Sequence, residues 1–110
     1  MMNWIRITNT DNIPLREGRS VNVGTESIAI FNLGDRFLAV EDRCPHRGGP
    51  LADGIVSGNR VICPLHGQKF CLETGQALKA NACGDVETYP VRVENGVILV
   101  QLPQRSERAA

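Results

Sequence analysis

The 110-residue sequence predicts an all-β domain, an antiparallel β-sandwich or set of small barrels. Three observations carry that expectation. Apolar residues fall in short runs of β-type character, turn residues interrupt those runs every several positions, and the periodicity of an amphipathic helix is almost absent. Short strands without intervening helices pair with their neighbours and close into sandwiches or small barrels.

In chain order, strands are expected at residues 4–8, 20–23, 28–33, 36–40, 60–63, 69–72, 87–94 and 97–101. Between the first two, residues 10–13 precede Pro14 and suit a brief turn of helix, with Thr10 or Asp11 as its N-cap. Leu33-Gly34-Asp35-Arg36 separates two apolar runs and predicts a tight hairpin. Glu94-Asn95-Gly96-Val97 predicts another, because Asn-Gly tolerates the two positive φ angles of a type I′ turn. Gly75 marks a turn after the 69–72 run, and residues 77–85, with Lys79 and Cys83, lack any period and are expected as a surface loop. Trp4, Phe31, Phe37 and Phe70 sit in apolar strand patterns and are expected in the core. One domain is expected over residues 1–103, with 104–110 a disordered polar tail.

Composition excludes several classes of function. Twelve Lys plus Arg balance twelve Asp plus Glu, so no net field recruits nucleic acid, and no basic run or aromatic platform appears. No apolar stretch approaches the roughly 20 residues needed to cross a bilayer. Met1-Met2-Asn3-Trp4-Ile5-Arg6 has neither an apolar signal core nor a twin-arginine pattern, so a cytoplasmic protein without a membrane partner is expected.

The chemistry lies in Cys44-Pro45-His46 and Cys63-Pro64-Leu65-His66-Gly67. Both histidines of the chain fall here, each just after a Cys-Pro step. Two thiolates and two imidazoles suit either a tetrahedral zinc ion or a two-iron cluster with sulfur on one iron and nitrogen on the other. Spacing favours the cluster. Finger-type zinc sites group cysteine with cysteine and histidine with histidine, whereas each loop here contributes one of each. Each pair stands at the end of a predicted strand: residues 40–43 lead into Cys44, and Val61-Ile62 lead into Cys63. Pro45 and Pro64 fix φ and stiffen the loops, while Gly48, Gly49, Gly54, Gly58 and Gly67 are expected to let the backbone fold around a metal centre. Cys71 and Cys83 belong to no ligand motif and are expected as small hydrophobes in or near the core.

Through these two motifs the chain resembles the Rieske family. The resemblance implies a Rieske-type antiparallel β fold, with a 2Fe-2S cluster held by two loops at one tip. It implies Cys44 and Cys63 on the inner iron, and His46 and His66 on an outer iron near the surface, where a redox partner approaches the imidazole edges. Charge explains the mixed ligand set. With two thiolates and two neutral imidazoles the oxidised core is neutral overall and reduction adds a single negative charge. Four thiolates start from two negative charges, so Rieske potentials lie at about −150 to +300 mV against roughly −400 mV for plant-type clusters. High-potential respiratory members resemble one another in a loop-to-loop disulfide and a serine after the His-Gly step. Here Gly49 and Leu65 occupy the cysteine positions and Gln68 the serine position. A redox titration is therefore expected to give a midpoint in the lower part of the Rieske window.

Over nearly its whole length the chain is similar to the small subunit of assimilatory NAD(P)H nitrite reductase. The matching segments are residues 44–51, 54–58 leading into 63–66, 71–75 and 88–93. That similarity implies a large partner subunit with flavin, sirohaem and a 4Fe-4S cluster, which reduces nitrite to ammonium while this chain relays electrons and holds no substrate site. Dioxygenase ferredoxins share the fold and cluster but tend to carry aspartate after the aromatic residue, where this chain has Phe70-Cys71. On that alternative the partners are a ring-hydroxylating dioxygenase component and its reductase. A zinc-stapled interaction module is the reading of another class. Arg47, next to a ligand, serves either partner docking or simple loop solvation.

Overall fold

The computed structural model describes residues 3–43, 50–64, 67–78 and 84–102. Among them the only helical elements are two 3-10 turns, and the strands form three antiparallel sheets, as the sequence predicts. The first sheet contains β1 (Asn3–Asn9), β10 (Val97–Leu102) and β9 (Val91–Glu94), in that order. The second runs β2 (Gly18–Val23), β3 (Glu26–Asn32), β4 (Phe37–Glu41), β8 (Thr88–Tyr89), and the third runs β5 (Ile55–Ser57), β6 (Arg60–Ile62), β7 (Lys69–Cys71).

Strand β3 explains how these layers assemble. Its side chains point alternately to opposite faces, yet Ile28, Ala29, Ile30 and Phe31 are all buried. The four-stranded sheet is therefore covered on both sides. Ile28 and Ile30, with Ala39 and Tyr89, pack against Ile98, Val100 and Leu102 of β10. Ala29, Phe31 and Val40 face the other way, onto Leu51, Val61, Phe70 and Leu72. Cys63 belongs to this second core.

Local chemistry explains most of the turns. Asn95 and Gly96 have φ of 53° and 77°, as a type I′ turn requires. In the β3–β4 hairpin, the Leu33 N–H donates to the Arg36 carbonyl at 2.9 Å. The 3-10 turn Thr10–Asn12 occurs where a helical turn is expected, but its cap is Asn9 and no side chain caps it. Instead, the Thr10 N–H donates to the Gly96 carbonyl across the sheet at 2.9 Å, a tertiary contact in place of a local cap.

Three expectations need correction. The predicted strand 87–94 is two strands, because Pro90 lacks an N–H; β8 pairs with β4 and β9 with β10. Strand β5 was not expected at all. It is only three residues long and Ile55 is 68% exposed, so periodicity had too little to act on. Trp4 is 36% exposed, since it pairs with Gln101 on the face of the sheet turned away from Val100 and Leu102. The Arg92 guanidinium covers its ring at 4.7 Å. Phe31 and Phe70 are buried, and Phe37 packs half-buried against the first core. Lys79, Cys83 and the tail 104–110 lie outside the described residues. No helix among the described residues is long and apolar enough to cross a membrane.

Candidate metal centre

Of the four predicted ligands, Cys63 lies within the described residues, while Cys44, His46 and His66 lie outside them, as do Arg47, Gly48 and Gly49. The register of β6 on β7 fixes the direction of Cys63. Val61 pairs with Phe70 and Ile62 with Lys69, so Cys63 comes opposite Gln68, and the Cys63 N–H donates to the Gln68 carbonyl at 2.7 Å. Opposed residues share a face, so Cys63 and Gln68 project with Val61 and Phe70 toward the second core. Both are buried, at 1% and 8% exposure. The Gly67 N–H donates back to the Cys63 carbonyl at 3.0 Å, a turn that Gly67 makes with φ of 70°.

Gln68 is unusual within this arrangement. Its Oε1 is buried and has no hydrogen-bond partner among the described residues. Such groups are few in native proteins and are found where a metal centre, ion or strain accounts for them. A buried thiol-bearing residue facing a buried, unsaturated amide fits a polar group seated between the loops. A plain apolar core would not call for the amide. The donor types fit as well, since a thiolate from each loop paired with an imidazole suits two bridged irons.

The residues on either side of the first ligand segment are tied to the sheets. After β4, Asp42 is buried, and its Oδ1 accepts the Ala52 N–H at 2.9 Å while Oδ2 accepts the Ser20 Oγ–H at 2.5 Å. Beyond the segment, Pro50 leads into a 3-10 turn, Leu51–Asp53, whose Leu51 and Ala52 are buried in the same core as Cys63. Gly54 then lies directly on β6. A Cβ at Gly54 would fall 2.4 Å from the Ile62 carbonyl oxygen and 2.9 Å from Val61 Cγ2. The exit of the first segment and the approach to Cys63 are therefore in backbone contact, which brings the flanks of the two predicted ligand pairs together. Gly58, by contrast, is an ordinary turn glycine with φ of 62° and open space around its Cα. Neither Asp42 nor Ser20 was picked out in the sequence, because a carboxylate before a cysteine and a serine in a distant strand carry no local signal.

Other polar groups play supporting parts. Cys71 lies on the face of β7 opposite Phe70 and is half-buried, not enclosed as a small core residue. A hydrogen bond from the Thr74 side chain pulls its thiol below the ordinary value. The Tyr89 hydroxyl donates to Glu26 Oε1 at 3.0 Å, and burial, then that carboxylate, push its pKa above the usual phenol range. It stays protonated and ties β8 to the start of β3.

A β scaffold that brings the flanks of the two Cys/His segments together, with Cys63 buried at a strand end, suits an iron-sulfur electron carrier. The family model for the Rieske [2Fe-2S] domain matches residues 3–90, and the chain belongs to that family. It is a Rieske electron-transfer ferredoxin with a Rieske-type 2Fe-2S cluster. Among curated proteins, the 3-phenylpropionate/cinnamic acid dioxygenase ferredoxin subunit of Escherichia coli (strain K12) is 39% identical over 105 residues, covering 94% of this chain and 97% of that one. Among solved structures, a complex of reduced oxygenase and oxidized ferredoxin in carbazole 1,9a-dioxygenase contains a chain that matches at TM-score 0.80 and 30% identity, over 88% of this chain and 91% of that one. A protein assigned as the NADH-dependent nitrite reductase small subunit of Mycobacterium tuberculosis matches at TM-score 0.85 and 28% identity, over 94% and 98%.

Proposed function

We propose that the chain is the ferredoxin component of a ring-hydroxylating dioxygenase system, taking single electrons from a reductase and passing them to the oxygenase. The observation that carries this reading is 39% identity along 94% of the chain to dioxygenase ferredoxin subunits. Nitrite reductase small subunits offer a solved likeness at 28%. Cys44 and Cys63 would hold one iron and His46 and His66 the other. When bound, the cluster supplies a one-electron couple in the Rieske range. The protein's part is to keep the sulfur side dry through the Cys63 core and to leave the imidazole side to a partner. No general acid or base is needed, because outer-sphere transfer breaks no covalent bond in the chain.

The second reading, the small subunit of an assimilatory nitrite reductase, is favoured by Phe70-Cys71 in place of an aromatic-aspartate pair and by the nitrite reductase likeness. In both cases a cytoplasmic setting suits the free, half-exposed thiol of Cys71. Reconstitution separates the two. The holo-protein is mixed either with a reductase and terminal oxygenase from the same source, or with its sirohaem nitrite reductase subunit and NAD(P)H. The proposal expects aromatic substrate turnover that depends on the chain and nitrite consumption that does not. Nitrite turnover that requires the chain would overturn it in favour of the second reading.

A further inference from the structure

We infer that the outward face of the third sheet, at its Cys63 end, is the surface that receives the oxygenase component: Ile55, Ile62 and Leu78 form an apolar row that meets an apolar patch on the partner, and Lys69 within the row meets a carboxylate. The inference rests on the dioxygenase ferredoxin reading above and says where that partner docks.

Register builds the row. Ile55 pairs with Ile62, and Ile62 pairs with Lys69. The bridge of Phe70 to Ala77 carries the sheet one chain further, and the Leu78 N–H donates to the Lys69 carbonyl at 2.9 Å, so Leu78 comes opposite Lys69. Opposed residues share a face. Val56, Val61, Phe70 and Ala77 pack into the second core, so their chain neighbours Ile55, Ile62, Lys69 and Leu78 turn outward. Four adjacent chains contribute, and the row is on the order of 14 Å long at the spacing of paired strands. Cys63 follows Ile62 directly, so the row borders the Cys63–Gln68 pair.

Exposure is what sets this row apart. Ile55 is 68% and Leu78 45% exposed, and Ile62 between them is half-buried. Single exposed apolar residues are ordinary, whereas several in register on one face mark an interaction site. The next outward row of the same sheet, Ser57, Arg60, Cys71 and Gln76, has the polar character of a solvated face. Charge then selects the occupant. Arg60 and Lys69 are the only charged residues on these four chains, and neither is ion-paired among the described residues. A second copy seated on this face would bring like cations into one small interface, which disfavours self-association. A protein surface with an apolar centre and a carboxylate rim is complementary instead.

Calorimetric titration of the oxidised holo-protein into the terminal oxygenase, and separately into the sirohaem nitrite reductase subunit of the same source, tests the surface. The wild-type chain is expected to bind the oxygenase with an affinity that falls as salt is raised. Leu78→Glu and Ile55→Glu, with the visible spectrum of the cluster retained, are expected to weaken binding about tenfold or more. Lys69→Glu is expected to weaken it as well and to flatten the salt dependence. Val93→Glu is the control, since Val93 is as exposed as Leu78 but lies on β9 of the first sheet, and it should bind as wild type does. Wild-type affinity in both Leu78→Glu and Ile55→Glu, or an equal loss in Val93→Glu, overturns the inference. So does a wild-type dimer in sedimentation that Leu78→Glu dissociates, because the face then belongs to a second copy. Should an apolar variant lose its cluster, Lys69→Glu decides: weaker, less salt-dependent binding supports the surface, and wild-type binding overturns it. Failure of the underlying reading is seen separately, as a wild-type chain that binds only the sirohaem subunit, and the same variants titrated into that subunit then decide the surface. A wild-type chain that binds neither overturns both.

Discussion

A Cys63→Ser chain is expected to purify colourless and without iron, while remaining folded. A serine hydroxyl neither ionises at neutral pH nor offers the soft sulfur that ferric iron-sulfur chemistry requires, so the loss should be close to complete. The fold should survive because the substitution changes little volume and leaves a single hydroxyl in a buried position, which costs about 1–3 kcal/mol. Cys71→Ser is the matched control. Pairing opposite Arg60, on the far face of the sheet from Phe70, Cys71 cannot reach the space that Cys63 faces, and its loss should leave iron content and spectrum intact. Visible absorbance and iron per chain report both variants. Retention of the wild-type spectrum in Cys63→Ser would exclude Cys63 as a ligand.

Gly54→Ala is expected to cost both stability and cluster. The added methyl would lie 2.4 Å from the Ile62 carbonyl oxygen, 2.9 Å from Val61 Cγ2 and 3.1 Å from the Leu51 carbonyl oxygen. Two of these are backbone atoms, which cannot swing aside as a side-chain tip does, so β6 and the exit of the first ligand segment must separate. Overpacking of this kind costs about 1–3 kcal/mol, and at roughly 4–8 °C of Tm per kcal/mol for a small domain the fall should be on the order of 10 °C. Because the displaced strand leads straight into Cys63, iron retention should fall with it. Gly58→Ala, at a turn with φ of 62° and no neighbour within reach, should lose only about 1 kcal/mol and keep its iron. Thermal unfolding with iron analysis distinguishes the cases, and a Gly54→Ala chain with wild-type Tm and iron would refute the contact.

Much of this architecture was legible in the sequence because β signals are local. Runs such as residues 28–33 and turns such as Asn95-Gly96 declare themselves through β-branched residues and positive φ. What escaped depends on pairing. Whether Trp4 faces inward is decided by its register against Gln101, and the break at Pro90 becomes visible only when β8 and β9 find partners in different sheets. The short β5 is made by its contact with β6, through Val56 opposite Val61, not by its own composition.

The site divides along the same line. Cysteine and histidine side chains with unusual spacing suggested the proposed donor set, and the family match agrees with the cluster they imply. The contacts that tie down the flanks of the ligand segments, Asp42 with Ser20 and Gly54 against Ile62, join residues 22 apart in one case and on separate elements in the other. Neither leaves a trace in a local window. Partner choice is less legible still, because motif residues such as Phe70-Cys71 point toward nitrite reductase small subunits while identity along the chain favours dioxygenase ferredoxins. Solved chains of both kinds match this fold, so the scaffold alone does not separate them.

The most direct test is metal and sulfide analysis of anaerobically prepared protein, with EPR after dithionite reduction. Iron and acid-labile sulfide are expected in equal amounts, about two of each per chain, with a paramagnetic signal that appears on reduction. Stoichiometric zinc with no sulfide and no signal would contradict it.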